Sequence, residues 1–259
     1  MKKRISSAQR ARLAIARQQA LQKSLAFERA LKRQRGKAIS EAISRLQGVP
    51  PSRWDSEVHI EEPYLHKMYE DLYINTGVDA ARQTVNDFLS RKSEGDDVYI
   101  NSILQWTRTH LGARIVLSNK TINKWLADLC RRVYEENRTE GIERVTQLMY
   151  AEVEDKWKSI REWEVRRIAQ TETMKSLNIA RAESMNALGV QYTKTWSISG
   201  NNTRQSHQVM DGVTLDQGEL FIVNGYQMSE PMDESYGADA AEVINCACSL
   251  LYLPKNPII

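Results

Sequence analysis

Apolar positions recur every three to four residues through most of this chain and every second residue from Gln191 onward, predicting helices followed by a small β-region. Over residues 5–47, Ala, Gln, Leu, Arg and Lys dominate and no proline occurs before Pro50, so one long helix is expected. Its stripe is thin: Leu21, Leu25, Phe27, Leu31, Ile39, Ala42, Ile43 and Leu46, with Gly36 expected to permit a bend. Pro50-Pro51 ends the segment, because proline cannot continue a helix and extends the residue before it.

Pro63 suits a first helical turn, and Leu65, Met68, Tyr69 and Leu72 lead through Gly77 to Ala81, Val85, Phe88 and Leu89. Residues 92–97 read as a loop whose aspartates can cap a helix striped by Ile100, Ile103, Leu104, Thr107 and Leu111. Asn119 or Thr121 is expected to cap another, carrying Ile122, Trp125, Leu126, Leu129 and Val133. Beyond Gly141, the positions Ile142, Val145, Met149, Val153 and Trp157 repeat the period, and together these helices predict a bundle. A last helix is expected over 161–188, ended by Gly189. The small residues Ala169, Thr173, Ser176, Ala180, Ser184 and Ala187 share one face, expected to pack against the following sheet.

Tyr192, Lys194, Trp196 and Ile198 then alternate as a strand. Asn224-Gly225 between two apolar runs predicts a hairpin, since that pair tolerates the positive φ of a type I′ turn. Residues 243–253 read as a final strand. The expected fold is α+β in three segments: a basic helical arm over 1–48, a helical domain over 49–160, and a mixed C-terminal domain over 161–259.

The net charge of +3 hides an asymmetry. Residues 1–50 hold 13 basic and 2 acidic side chains, a net of +11, whereas the remainder is −8. Twelve of these cations precede Ala38: Lys2, Lys3, Arg4, Arg10, Arg12, Arg17, Lys23, Arg29, Lys32, Arg33, Arg35 and Lys37. Such a helix can neutralise phosphates without reading sequence, or meet an acidic protein surface. With Phe27 as the one aromatic residue among them, base stacking adds little. The arm is therefore expected to be separable, so that deleting residues 2–37 leaves the remainder folded.

Three cysteines, two of them one residue apart, make a poor disulfide framework and fit a reducing compartment. No apolar run approaches the roughly 18–20 residues of a membrane span, and no signal peptide is visible. Arg204, His207 and Asp211 would share a face of a short helix capped by Thr203. On an extended strand, Cys246 and Cys248 would point the same way, so His207 and the two thiols could be three metal ligands, with Asp211 or water as a fourth. The competing reading makes both cysteines small core hydrophobes, His207 a hydrogen-bonded structural residue, and Arg204 the partner of Asp211. A Cys–His nucleophilic pair lacks a recognisable oxyanion pocket, Glu152 and Glu154 point apart on a helix, and Glu172 reads as a helix–sheet contact. No phosphate-binding loop or HExxH motif occurs. No enzyme activity, cofactor or bound metal is expected on this reading.

In order, Thr195-Trp196, Arg204-x-x-His207 with Asp211-Gly212, Phe221 before the turn at Gly225-Tyr226, Pro231-x-Asp233 and Asn245-Cys246-x-Cys248 resemble the Mu F-like minor head proteins of tailed phages. Ala169-Gln-Thr-Glu172 and Asn178-x-Ala-Arg181 are similar to that family's opening segment. The resemblance covers about 161–253, and the order of the pieces carries it. Asn201-Asn202 stands where the family has acidic residues, and Ala247 where it has arginine, so a ligand site at either place is in doubt. Membership implies a minor capsid protein, made in the host cytoplasm and housed in the virion near the portal vertex. It implies as partners the portal protein, the inner capsid or scaffold, and double-stranded DNA bound irrespective of sequence, and a role in head morphogenesis and in DNA packaging or ejection. The same domain occurs fused to bacterial toxins, which makes an effector enzyme the alternative. That alternative calls for a further catalytic domain, and the chain is expected to leave no room for one after its last strand.

Overall fold

A computed structural model describes residues 2, 4–60, 63–89, 97–159, 161–200 and 202–255. Lys3, Asn201 and the expected loop at 92–96 lie outside the described residues, as do the side chains of Leu111, Asn119, Thr121 and Trp157. The fold is α+β, with long helices followed by short antiparallel strands.

Helix α1 spans Ser7–Arg45 as one element, continuous through Gly36 where a bend was expected. A single glycine inside a strong helix-former sequence costs only about 1 kcal/mol, too little to interrupt it. A short α2 (Trp54–Glu57) precedes α3 (Pro63–Leu89). Helix α4 is one continuous element over Asp97–Glu136, where sequence periodicity suggested two. No proline falls between Leu111 and Thr121, so the Asn/Thr cap signals have no break to act on. Helices α5 (Ile142–Ser159) and α6 (Arg161–Ala187) follow, and Gly189 turns the chain with φ +62°.

The chain separates into two compact units. One comprises residues 1–26, 71–107 and 167–259, the other 27–70 and 108–166. They do not follow chain order as the expected segments 1–48, 49–160 and 161–259 do, because α1, α3, α4 and α6 each contribute residues to both.

In the second unit, Ile39, Ala42, Ile43 and Leu46 of α1 pack with Leu126, Leu129, Cys130 and Val133 of α4 and Val145 and Met149 of α5. Trp54 is fully buried there, donating its indole N–H to the Val49 carbonyl at 2.9 Å and meeting Tyr134 edge-on at 5.4 Å. The Pro50-Pro51 stop therefore places a core residue as well as ending a helix.

The first unit holds all the strands. Strand β1 (Tyr192–Ser197) is central, flanked by β2 (Thr214–Asp216) and β5 (Ser249–Pro254), both antiparallel, with Thr195 opposite Thr214 and Trp196 opposite Leu250. Strands β3 (Phe221–Val223) and β4 (Tyr226–Met228) form the expected hairpin, with Asn224 at φ 50° and Gly225 at φ 85°. Two single-turn helices, α7 (Gln205–Gln208) and α8 (Ala240–Val243), lie in the connections. Around Trp196 the core gathers Phe221, Val223, Met228, Val243 and Leu250, joined by Met174, Leu177 and Ala180 of α6 and Ala81, Val85 and Phe88 of α3.

On the small-residue face of α6, Ala169, Thr173, Ser176, Ala180 and Ser184 are buried and Ala187 is half-buried, and Ala180 sits against α3. A Cβ built on Gly77 would lie 3.2 Å from both Ala180 Cβ and Ile103 Cγ2. Hydrogen bonds between α6 and the C-terminal residues involve Thr171, Lys175, Asn178 and Asn186. Among the described residues, no helix is long and apolar enough to cross a membrane.

Candidate functional site

Residues 243–248 do not form the extended strand that periodicity suggested. Asp239 caps α8 by accepting from the Ala241 N–H at 3.1 Å, and Asn245 turns the chain with φ +58°. Strand β5 starts only at Ser249. The same-side argument for Cys246 and Cys248 therefore fails, yet the turn brings both sulfurs to His207, each 3.5 Å from its Nδ1. His207, Cys246 and Cys248 are all buried, and their ligating atoms lie within 4.8 Å of one another.

Helix α7 positions the imidazole. It begins after Arg204 with no side-chain cap, so the expected Thr203 cap is absent: Thr203 Oγ1 donates instead to the Gly200 carbonyl at 2.7 Å. Behind the ring, Nε2 stands 3.0 Å from Glu242 Oε2, off the line of a straight hydrogen bond. Glu242 is held by Ser206 Oγ at 2.8 Å and Asn224 Nδ2 at 3.0 Å. Burial raises its carboxyl, and those two donors followed by His207 outweigh it, leaving Glu242 below the ordinary carboxylate value. Trp196 meets the imidazole edge-on at 5.5 Å and Phe221 at 5.1 Å.

The two buried thiols shift each other in opposite directions. Donation toward Cys248, with burial added, pushes Cys246 well up. Accepting from Cys246, then from His207, lowers Cys248 against the effect of burial. The Trp196 indole acts in the same direction on Cys248.

The other motif residues hold this corner together. Arg204 Nη2 donates to the Ile244 carbonyl at 2.5 Å and Nη1 to that of Ala241, pinning the turn that carries the cysteines. It does not pair with Asp211. That carboxylate accepts from Arg10 at 2.7 Å and from the Ile198 N–H at 3.2 Å. Gly212, at φ 78°, donates its N–H to the Trp196 carbonyl at 2.9 Å in a conformation a side chain would strain. The Asn245 N–H donates to Thr171 Oγ1 at 3.1 Å, and Asn178 Nδ2 to the Cys248 carbonyl at 2.9 Å. Arg181 is buried, which lowers its guanidinium to about 10. Glu172 accepts from Tyr73 of α3 at 2.7 Å, a helix–helix contact where a helix–sheet one was expected. Glu152 is ion-paired to Arg132 at 2.6 Å and Lys156 at 2.9 Å.

The cations of α1 divide into groups. Arg17 is buried, donating to the Ser197 carbonyl at 3.0 Å and to Ser249 Oγ at 3.3 Å. Arg35 is buried too. Arg10, Arg12 and Lys23 pair with Asp211, Asp87 and Asp79, Lys32 with Glu28, and Lys37 with Glu41. Lys2, Arg4, Arg29, Arg33 and Lys37 are exposed.

Glu242 and Ser206 were not legible as site residues, because a carboxylate in an acidic loop looks like any solvated one until the fold places it. A second concave site was also missed: a polar cavity of about 220 Å³ lined by Lys194, Gln217, Glu230, Asp233, Tyr236 and Tyr252. Burial pushes Glu230 up to about 7 there, while Lys194 donates to the Ser229 carbonyl at 2.9 Å.

No protein-family model matches the chain, and no solved structure matches it. Among curated proteins, the NAD(+)--arginine ADP-ribosyltransferase EFV of Enterococcus faecalis is 30% identical over 89 residues. The match spans 33% of this chain and 18% of that relative, so the likeness concerns a part of each protein.

Proposed function

We propose that this chain is a portal-associated minor head protein of a tailed bacteriophage, acting in head morphogenesis and in DNA packaging or ejection by binding alone. The observation that carries this reading is the state of the motif residues. Trp196 and His207 are buried, Arg204 and Asn245 are hydrogen-bonded to backbone or side-chain partners, and Gly212 serves a turn, so the shared pattern describes a framework. On this reading the portal and the inner capsid or scaffold are the protein partners, and the exposed cations Lys2, Arg4, Arg29 and Arg33 meet packaged DNA. Reconstruction of intact particles tests it. Density for this fold at the portal vertex is the expected result, and particles lacking the polypeptide reject the proposal.

The likeness to EFV favours a second reading, in which the chain is a module of an effector protein with ADP-ribosyltransferase activity. Incubation with labelled NAD⁺ and arginine-rich acceptor proteins separates the two. Transfer of label supports the effector reading, and its absence together with copurification on a portal ring supports the first.

A further inference from the structure

We propose that His207, Cys246 and Cys248 form a zinc site, with the imidazole Nδ1 and the two sulfurs as three ligands and a water in the fourth position. The inference is independent of the head-protein reading, since it rests on the geometry of one buried corner.

The distances fit the ion. Zinc bonds of about 2.3 Å to sulfur and 2.0–2.1 Å to nitrogen, set at a tetrahedral angle, separate N from S by about 3.5 Å. Both observed Nδ1–sulfur separations are 3.5 Å. An imidazole nitrogen offers one lone pair or one N–H, which two sulfurs can share only as bent, bifurcated contacts. An ion between the three atoms gives all the contacts the same cause.

The surroundings fit as well. A metal-binding histidine commonly presents its second nitrogen to a carboxylate, which fixes the tautomer and the ring plane. Glu242 occupies that place 3.0 Å from Nε2, and is itself held by Ser206 and Asn224. Two thiolates and a neutral imidazole balance a divalent charge, so the ion with its ligands is neutral where it is buried. Binding forms two S–Zn bonds and one N–Zn bond and sends the displaced thiol protons to solvent. Sulfur with imidazole selects zinc over the harder magnesium and calcium.

Asp211, weighed from sequence as a fourth ligand, is engaged by Arg10 and the Ile198 N–H, which is why the fourth place goes to water. The ion would tie α7 to the turn after α8, two stretches of about one turn each that bury few apolar contacts by themselves.

The full chain, freed of metal by chelation under reducing conditions, is titrated with cobalt(II) and then zinc. The expected result is one cobalt per chain, with thiolate-to-metal charge-transfer absorption and tetrahedral visible bands that zinc abolishes. Cys246→Ser and Cys248→Ser should each lose the charge-transfer band, and Asp211→Asn should keep it. Glu242→Gln, which leaves all three ligands in place, should weaken binding roughly 10–100-fold. Should the serine variants not fold, the wild-type chain decides alone: zinc raising its melting temperature with one-to-one stoichiometry supports the site. Absence of stoichiometric uptake, or uptake that survives loss of either thiol in a folded variant, overturns the proposal.

Discussion

Arg17 of α1 donates to the carbonyl of Ser197 at 3.0 Å, joining two residues 180 positions apart inside the first compact unit. With Ser249 Oγ as a further acceptor, one guanidinium ties the first helix to the ends of β1 and β5. A helix expected to be detachable is part of the core.

Replacing Arg17 with alanine is therefore expected to cost stability. Hydrogen bonds from a charged donor contribute about 1.5–3 kcal/mol each way, and the Ser197 carbonyl would be left buried without its donor. Denaturant titration should show a fall of about 2–3 kcal/mol with the slope unchanged. Deleting residues 2–37 should abolish cooperative unfolding, because Leu13, Ala16, Ala20, Phe27 and Leu31 are buried.

The DNA contribution of α1 is read by salt dependence. Each phosphate neutralised contributes about 0.9 to the slope of log affinity against log salt concentration. Lys2→Ala, Arg4→Ala, Arg29→Ala and Arg33→Ala are each expected to lower that slope by up to this amount in fluorescence anisotropy with random duplex. Lys67→Ala, outside α1, is the control and should leave it unchanged. A slope that none of these four substitutions moves removes DNA from the partners.

Gly77 marks a close approach between helices. A Cβ there would stand 3.2 Å from Ala180 and from Ile103, so alanine demands a small adjustment and valine a larger one. Overpacking of this kind typically costs about 1–3 kcal/mol. Gly77→Val should lower the melting temperature clearly more than Gly77→Ala, as read by thermal circular dichroism.

Glu230 gives the fold a pH signature. Burial, opposed by the hydrogen bond from Ser229 and reinforced by Asp233, raises its carboxyl to about 7 from the ordinary 4.5. Lys194 acts in the opposite direction. Between those values the folded chain holds a proton that the unfolded chain has released, so stability falls as pH rises through the window. The contribution is complete below pH 4.5 and lost above about 7. Glu230→Gln should flatten stability against pH over that range, by no more than about 3 kcal/mol.

Helix positions and the hairpin were readable because their causes are local. Repeats of three and four residues, Gly189 after α6 and Asn224-Gly225 each act within a few positions. Where local signals competed, they misled: the cap residues Asn119 and Thr121 suggested a break inside α4, and alternation over 243–253 suggested a strand that starts only at Ser249, after the end of α8 and a turn. The candidate site was half legible. His207, Cys246 and Cys248 could be named from residue type, but the geometry that joins them comes from a turn at Asn245, and Glu242 could not be foreseen.

By itself the sequence determined the α+β class, most helix positions, the hairpin and the concentration of positive charge in the first 50 residues, because each follows from propensity, period or counting. Only the tertiary structure decided which of those charges face solvent, that α1 is core instead of appendage, and that His207 meets Cys246 and Cys248. These outcomes depend on contacts between residues about 40 to more than 200 positions apart, and no local pattern encodes which distant partner a side chain will find.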